Sequence, residues 1–127
     1  MTIVSLSLPE NQLMELDAIA RKGGYGGRSD ALRAAVKLLS KEHSKEKSIK
    51  GRVSGALLLL HDEKDEAAFT EARHRYEGLI KTLVHNQLGN DKCLEVFIFE
   101  GDAADVQDLI KALRKSGKAE DIKLVVA

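Results

Sequence analysis

The chain has 127 residues, 43% hydrophobic and 31% charged, with no Trp, three Phe and two Tyr, so any core is largely aliphatic. That length fits one average domain or two small ones, and a net charge of zero hides a split: +4 over residues 1–52 and −4 over 53–127. One cysteine excludes an intramolecular disulfide and fits a reducing cytoplasm, and the longest apolar run, Ala56–Leu60, is far too short to span a membrane.

The N-terminal "MTIVSLSLPE" has no basic region and no long apolar run, which argues against a signal peptide. Residues 2–8 alternate with period two. Val4, Leu6 and Leu8 face one way; Ile3, Ser5 and Ser7 face the other, as in a half-buried strand. Pro9 then suits the first turn of a helix over "PENQLMELDAIARKGG", with Leu13, Leu16, Ile19 and Ala20 on its apolar side and Gly23-Gly24 as its stop. Ser29 is a suitable N-cap for a second helix carrying Leu32, Ala35, Val36 and Leu39 at helical spacing. The charged "KEHSKEKSIKG" reads as a linker.

Beyond it the rhythm changes. "GRVSGALLLL" (51–60) is strand-like. "HDEKDEAAFTEARHRYEG" (61–78) is a charged helix with Ala68, Phe69, Ala72 and Tyr76 inward. "LIKTLVHNQ" and "CLEVFIFEG" are two strands around a turn at Gly89-Asn90-Asp91. "DAADVQDLIKALRKSG" is a helix capped by Asp102, with Val106, Leu109, Ile110 and Leu113 as its buried stripe, and "DIKLVVA" is a last strand. The order βαββαβ is the ferredoxin-like pattern. The whole is therefore of α+β class, with one module over 1–46 and a second over 51–127.

A lone strand with two helices leaves an unpaired edge and too small a core. Pairing with a second copy makes an antiparallel ribbon over four helices, and such a ribbon fits the major groove of double-stranded DNA. Ile3, Ser5 and Ser7 would then face the bases. Arg28 and the helix start at Ser29 would hold phosphate. The stretches "IVSLSL", "ENQLMELDAIA" and "GGYGGRSDALRAAV" resemble ribbon-helix-helix regulators of the CopG/NikR type. Those proteins often carry Arg at the first outward strand position, where this chain has Ile3.

Strand 93–100 carries apolar residues on both faces: Leu94, Val96 and Ile98 on one, Cys93, Phe97 and Phe99 with Glu95 on the other. One face takes the helices and the other asks for a second subunit. With one interface per module, the expected assembly is a homotetramer, a dimer of dimers. If the hairpin loop is Leu88–Lys92, then Gln87 pairs with Cys93 and His85 with Glu95, so residues 85, 87 and 93 share a face. For a lone His and Cys so placed, chance is a better explanation than a metal site.

End to end, the chain is similar to the NikR family, a ribbon-helix-helix domain followed by a ferredoxin-like, ACT-type regulatory domain; "CLEVFIFEGDAADVQDLIKAL" carries the resemblance in the second part. The resemblance implies nickel bound at a tetramer interface. His85 and Cys93 match two hairpin ligands and His74 matches a ligand given by the partner's helix, while Gln87 stands where the family has a second hairpin His. It also implies a second cation site for which Asp30 matches one acidic residue and Ala34 replaces another. Imidazole and thiolate suit nickel or copper, and a tetrahedral arrangement suits zinc. The expected ligands are thus His74, His85 and Cys93, on the face of the sheet away from the helices, with His43 and His61 solvated, although His61, beside Asp62, could join a loose surface metal site. The leading functional expectation is a DNA-binding regulator, a repressor, answering to a metal. The alternative is a regulator whose second module has lost metal and serves for tetramerisation or small-molecule sensing. Nothing in the sequence supplies an oxyanion motif or an orienting group for Cys93, so an enzyme is not expected.

Overall fold

The computed structural model describes residues 1–127. They divide into two compact units, Met1–Ser44 and Lys45–Ala127.

In the first unit, residues 1–9 join no helix or strand ladder within the chain, and Val4 and Leu6 are exposed. The alternating segment therefore finds no strand partner inside one chain. Helix α1 spans Glu10–Lys22; Pro9 is its N-cap, its carbonyl accepting from Gln12 and Leu13 N–H, and Gly23 and Gly24 end it. Helix α2 spans Arg28–Ser48. It starts one residue before the expected cap, so Ser29 lies in its first turn. The charged stretch read as a linker is helical through Ser48, because it holds good helix formers and no Pro or Gly before Gly51. Only Ala20 and Ala31 are buried in this unit, while Val36 and Leu39 stay exposed. That is too little apolar burial to offset the ordering of a 44-residue chain.

The second unit has strands β1 (Arg52–Asp62), β2 (Ile80–Gln87), β3 (Lys92–Asp102) and β4 (Ala119–Val126), with helix α3 (Glu66–Arg75) after a 3-10 turn at Glu63–Asp65 and helix α4 (Ala103–Lys115). The sheet is antiparallel with order β2-β3-β1-β4, the ferredoxin-like arrangement. Leu57 and Leu59 from β1, and Phe97 and Phe99 from β3, meet Phe69 and Ala72 of α3 and the stripe Val106, Leu109, Ile110, Leu113 of α4 in one core. Both helices therefore cover the odd-numbered face of β1 and β3. Ala68 is exposed, one position off the inward side of α3. Leu58, Leu60, Val84, Leu94, Val96 and Ile98 lie on the opposite face, with Ile98 and Val84 exposed.

Two ends of this sheet matter for the site. Strand β1 runs two residues past the expected end, because the ladder with β3 continues through His61↔Cys93 and Asp62↔Lys92. The β2–β3 hairpin closes with Leu88 N–H on the Lys92 carbonyl, and Asp91 takes the left-handed conformation that such a turn needs.

Candidate metal centre

The hairpin register is the one that brings the expected residues together. Gln87 pairs with Cys93 and His85 with Glu95. Strand parity then places His85, Cys93 and Glu95 on the face of Phe97 and Phe99, the helix-covered face. The expected location on the open face is therefore corrected: helices α3 and α4 pack on the side that Cys93 points to.

The second correction concerns His61. It is wholly buried rather than solvated. It belongs to β1, two residues after Leu59, so it shares the inward parity of Leu57 and Leu59. Its ring lies 4.5 Å from Phe69 and 6.2 Å from His85, centroid to centroid. His43 is exposed, as expected.

His61, Glu66, His85 and Cys93 bring one ligand atom each to within 4.8 Å of one another. Glu66 opens α3, next to the end of β1. Its Oε2 lies 3.5 Å from His61 Nε2 and 3.3 Å from His85 Nε2. Its Oε1 accepts from Arg73 Nη2 at 2.7 Å, and Arg73 Nη2 also donates to Thr70 Oγ1 at 2.9 Å. Arg73 Nη1 donates to Glu95 Oε1 at 2.5 Å, and Glu95 Oε2 sits 2.6 Å from His61 Nε2. One guanidinium thus orients two carboxylates, and Glu95, with no exposed surface, has its charge compensated. Glu66 Oε2 alone is buried with no hydrogen-bond partner. A buried acceptor left open costs on the order of 1–3 kcal/mol, and a cation among these donors would satisfy it.

The ring of His61 is fixed as metal-binding histidines are. Nδ1 is 2.8 Å from the Asp62 carbonyl, which can only accept. Nδ1 therefore donates there, and Nε2, which donates to Glu95 Oε2 in the metal-free chain, is the nitrogen that would turn its lone pair to a cation on losing that proton. Burial, and then the charge of Glu66, hold the Cys93 thiol above its usual pKa. A bound cation would reverse that balance and favour the thiolate. The donor set of two imidazoles, a carboxylate and a thiolate fits a borderline transition metal.

His74 does not join this group within the chain. Its side chain is 76% exposed, near Glu77 at 3.8 Å. Gln87 is exposed at the hairpin end. Sequence reasoning missed Glu66 and gave His61 only as a surface residue that could join a loose metal site; the signal for its burial was the alternation of Leu57 and Leu59 carried one step further.

In the first unit, Ile3, Ser5, Ser7 and Ser29 are exposed. Arg28 is paired: its Nε and Nη2 donate to Asp17 Oδ1 and Oδ2 at 2.7 and 2.9 Å, which holds the Asp17 carboxyl below its usual range. Asp30 is taken up by Arg33. No helix is long and apolar enough to cross a membrane.

Comparison with known proteins covers both units. Residues 2–42 match the ribbon-helix-helix protein, copG family, and residues 54–127 match the NikR C terminal nickel binding domain. A protein of Methanococcus maripaludis strain C7, provisionally named a nickel-responsive regulator, is 33% identical over 126 residues, covering 97% of this chain and 89% of its own length. A protein of Methanococcoides burtonii with the same provisional name is 30% identical over 127 residues, covering 98% of this chain and 91% of its own. Among solved structures, an uncharacterized protein from Thermotoga maritima shares the fold at TM-score 0.55 and 14% identity, over 59% of this chain and 96% of that one.

Proposed function

Because the chain belongs to the NikR family of ribbon-helix-helix regulators, not to an enzyme family, we propose that it is a repressor whose hold on operator DNA is set by a transition metal in its C-terminal unit. Nickel is the ion in the names of its relatives. The observation that carries the reading is the convergence of His85 and Cys93 with further donors around an unpartnered carboxylate oxygen.

The N-terminal segments of two chains pair as a ribbon in the major groove. Ser5 and Ser7, with Ile3, face base edges, and Ser29 with its neighbouring N–H groups meets phosphate. Arg28 serves there by keeping the start of α2 against α1 through Asp17, with its remaining N–H free for phosphate. The apolar open face of the sheet joins two such dimers into a tetramer, so that one assembly presents two ribbons. A reducing cytoplasm keeps Cys93 available as a thiol.

The test is selection from a random DNA pool by the full chain, with and without added metal. The expected result is enrichment of one inverted repeat, bound more tightly with metal and more weakly as salt rises. Enrichment that is identical with and without metal would leave a regulator whose C-terminal unit only assembles it. No enrichment under either condition would remove the DNA reading.

A further inference from the structure

Resting on the reading that the C-terminal unit takes up a metal, we propose that the ion is held inside a single chain by His61 Nε2, Glu66 Oε2, His85 Nε2 and Cys93 Sγ. The site is tetrahedral and takes zinc-class ions in preference to nickel in a planar site shared between subunits.

Geometry separates the two kinds of site. With bonds of about 2.0–2.1 Å, neighbouring N and O ligands stand about 3.3–3.4 Å apart around a tetrahedral ion and about 2.9 Å apart around a planar one. The contacts of Glu66 Oε2 with the two imidazole nitrogens are 3.3 and 3.5 Å. These two contacts lie nearer the tetrahedral value than the planar one, and all four ligand atoms fall within 4.8 Å of one another.

Three of the four donors are also held for the task by something else. The Asp62 carbonyl fixes the His61 tautomer. Arg73, itself held by Thr70, anchors Oε1 of Glu66, so that the free Oε2 is the oxygen turned toward the imidazoles. The cross-strand pairing of His61 with Cys93 holds the thiol at a rigid sheet position. In the metal-free chain His61 Nε2 donates to Glu95 Oε2; an ion would take the place of that proton, and Glu95 would keep Arg73 as its partner.

Charge agrees. One carboxylate and one thiolate neutralise a divalent ion, and two neutral imidazoles complete four ligands. Glu95 and Arg73 already cancel each other. A planar shared site would have to draw on Gln87, whose amide is a poor ligand for nickel, and on His74, which stands 76% exposed outside this group. The chain thus carries, in His61 and Glu66, replacements for the ligand missing at Gln87 and for the one from the partner.

The experiment is a titration of the full chain with cobalt(II), which reports zinc-type geometry through its colour, followed by competition with zinc and with nickel. The expected result is the intense visible bands of tetrahedral cobalt with a thiolate charge-transfer band, lost on adding zinc and kept on adding equimolar nickel. His61→Ala and Glu66→Gln should each weaken cobalt at least about tenfold, whereas His74→Ala and Gln87→Ala should change it by less than about twofold. Glu66→Gln keeps shape and a hydrogen-bonding amide, and circular dichroism of each variant separates lost ligation from lost folding. If His61→Ala does not fold, Glu66→Gln alone decides.

Loss of binding in His74→Ala, with Glu66→Gln binding as the parent does, would overturn the single-chain site and leave the metal-dependent regulator standing. Weak, non-tetrahedral cobalt bands with nickel displacing the cobalt would overturn the zinc-class assignment. A parent chain that takes up none of the three ions would overturn this site and the metal reading together.

Discussion

His61 pairs directly with Cys93 across the β1–β3 ladder, and both side chains are buried on the helix-covered face. A histidine and the only cysteine are thereby fixed on adjacent strands of a rigid sheet. Cys93 is consequently shielded from solution. In the folded chain it should react with a thiol reagent far more slowly than in denaturant, and zinc should slow it further. A native rate equal to the unfolded one would contradict the burial.

Arg73 and Glu95 form the charged heart of the centre, with side chains 13% and 0% exposed. Arg73→Met should leave the buried Glu95 with only His61 Nε2 as its partner, at a cost of about 3–5 kcal/mol. Adding Glu95→Gln should recover a good part of that loss, since the uncompensated charge goes with it. Denaturant unfolding at one fixed protomer concentration measures both. Strictly additive losses would show that the two side chains are not coupled.

The open face of the sheet presents Val84 and Ile98 to solvent in the single chain. Replacing both with Asp should stop two dimers from joining while leaving the N-terminal pairing intact. Sedimentation should then report a dimer, against the tetramer expected of the parent. A double variant that remains tetrameric would move the second interface elsewhere.

The Ser5→Ala, Ser7→Ala double variant should lose sequence preference yet keep salt-dependent binding to any duplex, because phosphate contacts carry affinity and base contacts carry selectivity. Competition between selected and scrambled DNA measures this. Unchanged preference would remove the two serines from the base-reading face.

The Asp17–Arg28 pair links α1 to the start of α2. Asp17 has its folded pKa lowered, chiefly by hydrogen bonds from Arg28. Its contribution to stability is therefore present above the unfolded value of about 3.9 and disappears as pH falls through the lower folded value. Asp17→Asn should lower the thermal midpoint slightly at neutral pH, the pair being solvent-exposed, and the gap to the parent should close in acid below about pH 4. A gap that stays constant down to the lowest pH at which the chain folds would mean the carboxylate charge plays no part.

The periodicity of the chain determined much of this protein. The aliphatic stripe Val106, Leu109, Ile110, Leu113 specifies α4 and its buried side, and Asp102 marks its start. The turn at Gly89-Asn90-Asp91 set the hairpin register, and with it the shared face of His85 and Cys93. These are local properties, written in spacings of two and of three to four residues. Tertiary structure decided the rest. Where β1 ends depends on how long β3 continues beside it, and those two extra residues carry His61 from a solvated helix start into a buried strand. Which face Cys93 belongs to depends on the side the helices choose, since both faces of β3 are apolar. Glu66 becomes a candidate ligand only because Arg73, on the same helix, also reaches Glu95 on a strand far away in sequence and turns one carboxylate oxygen toward the histidines. Four donors from β1, α3, β2 and β3 have no common spacing along the chain. Only the packing of α3 against that end of the sheet brings them within one coordination sphere.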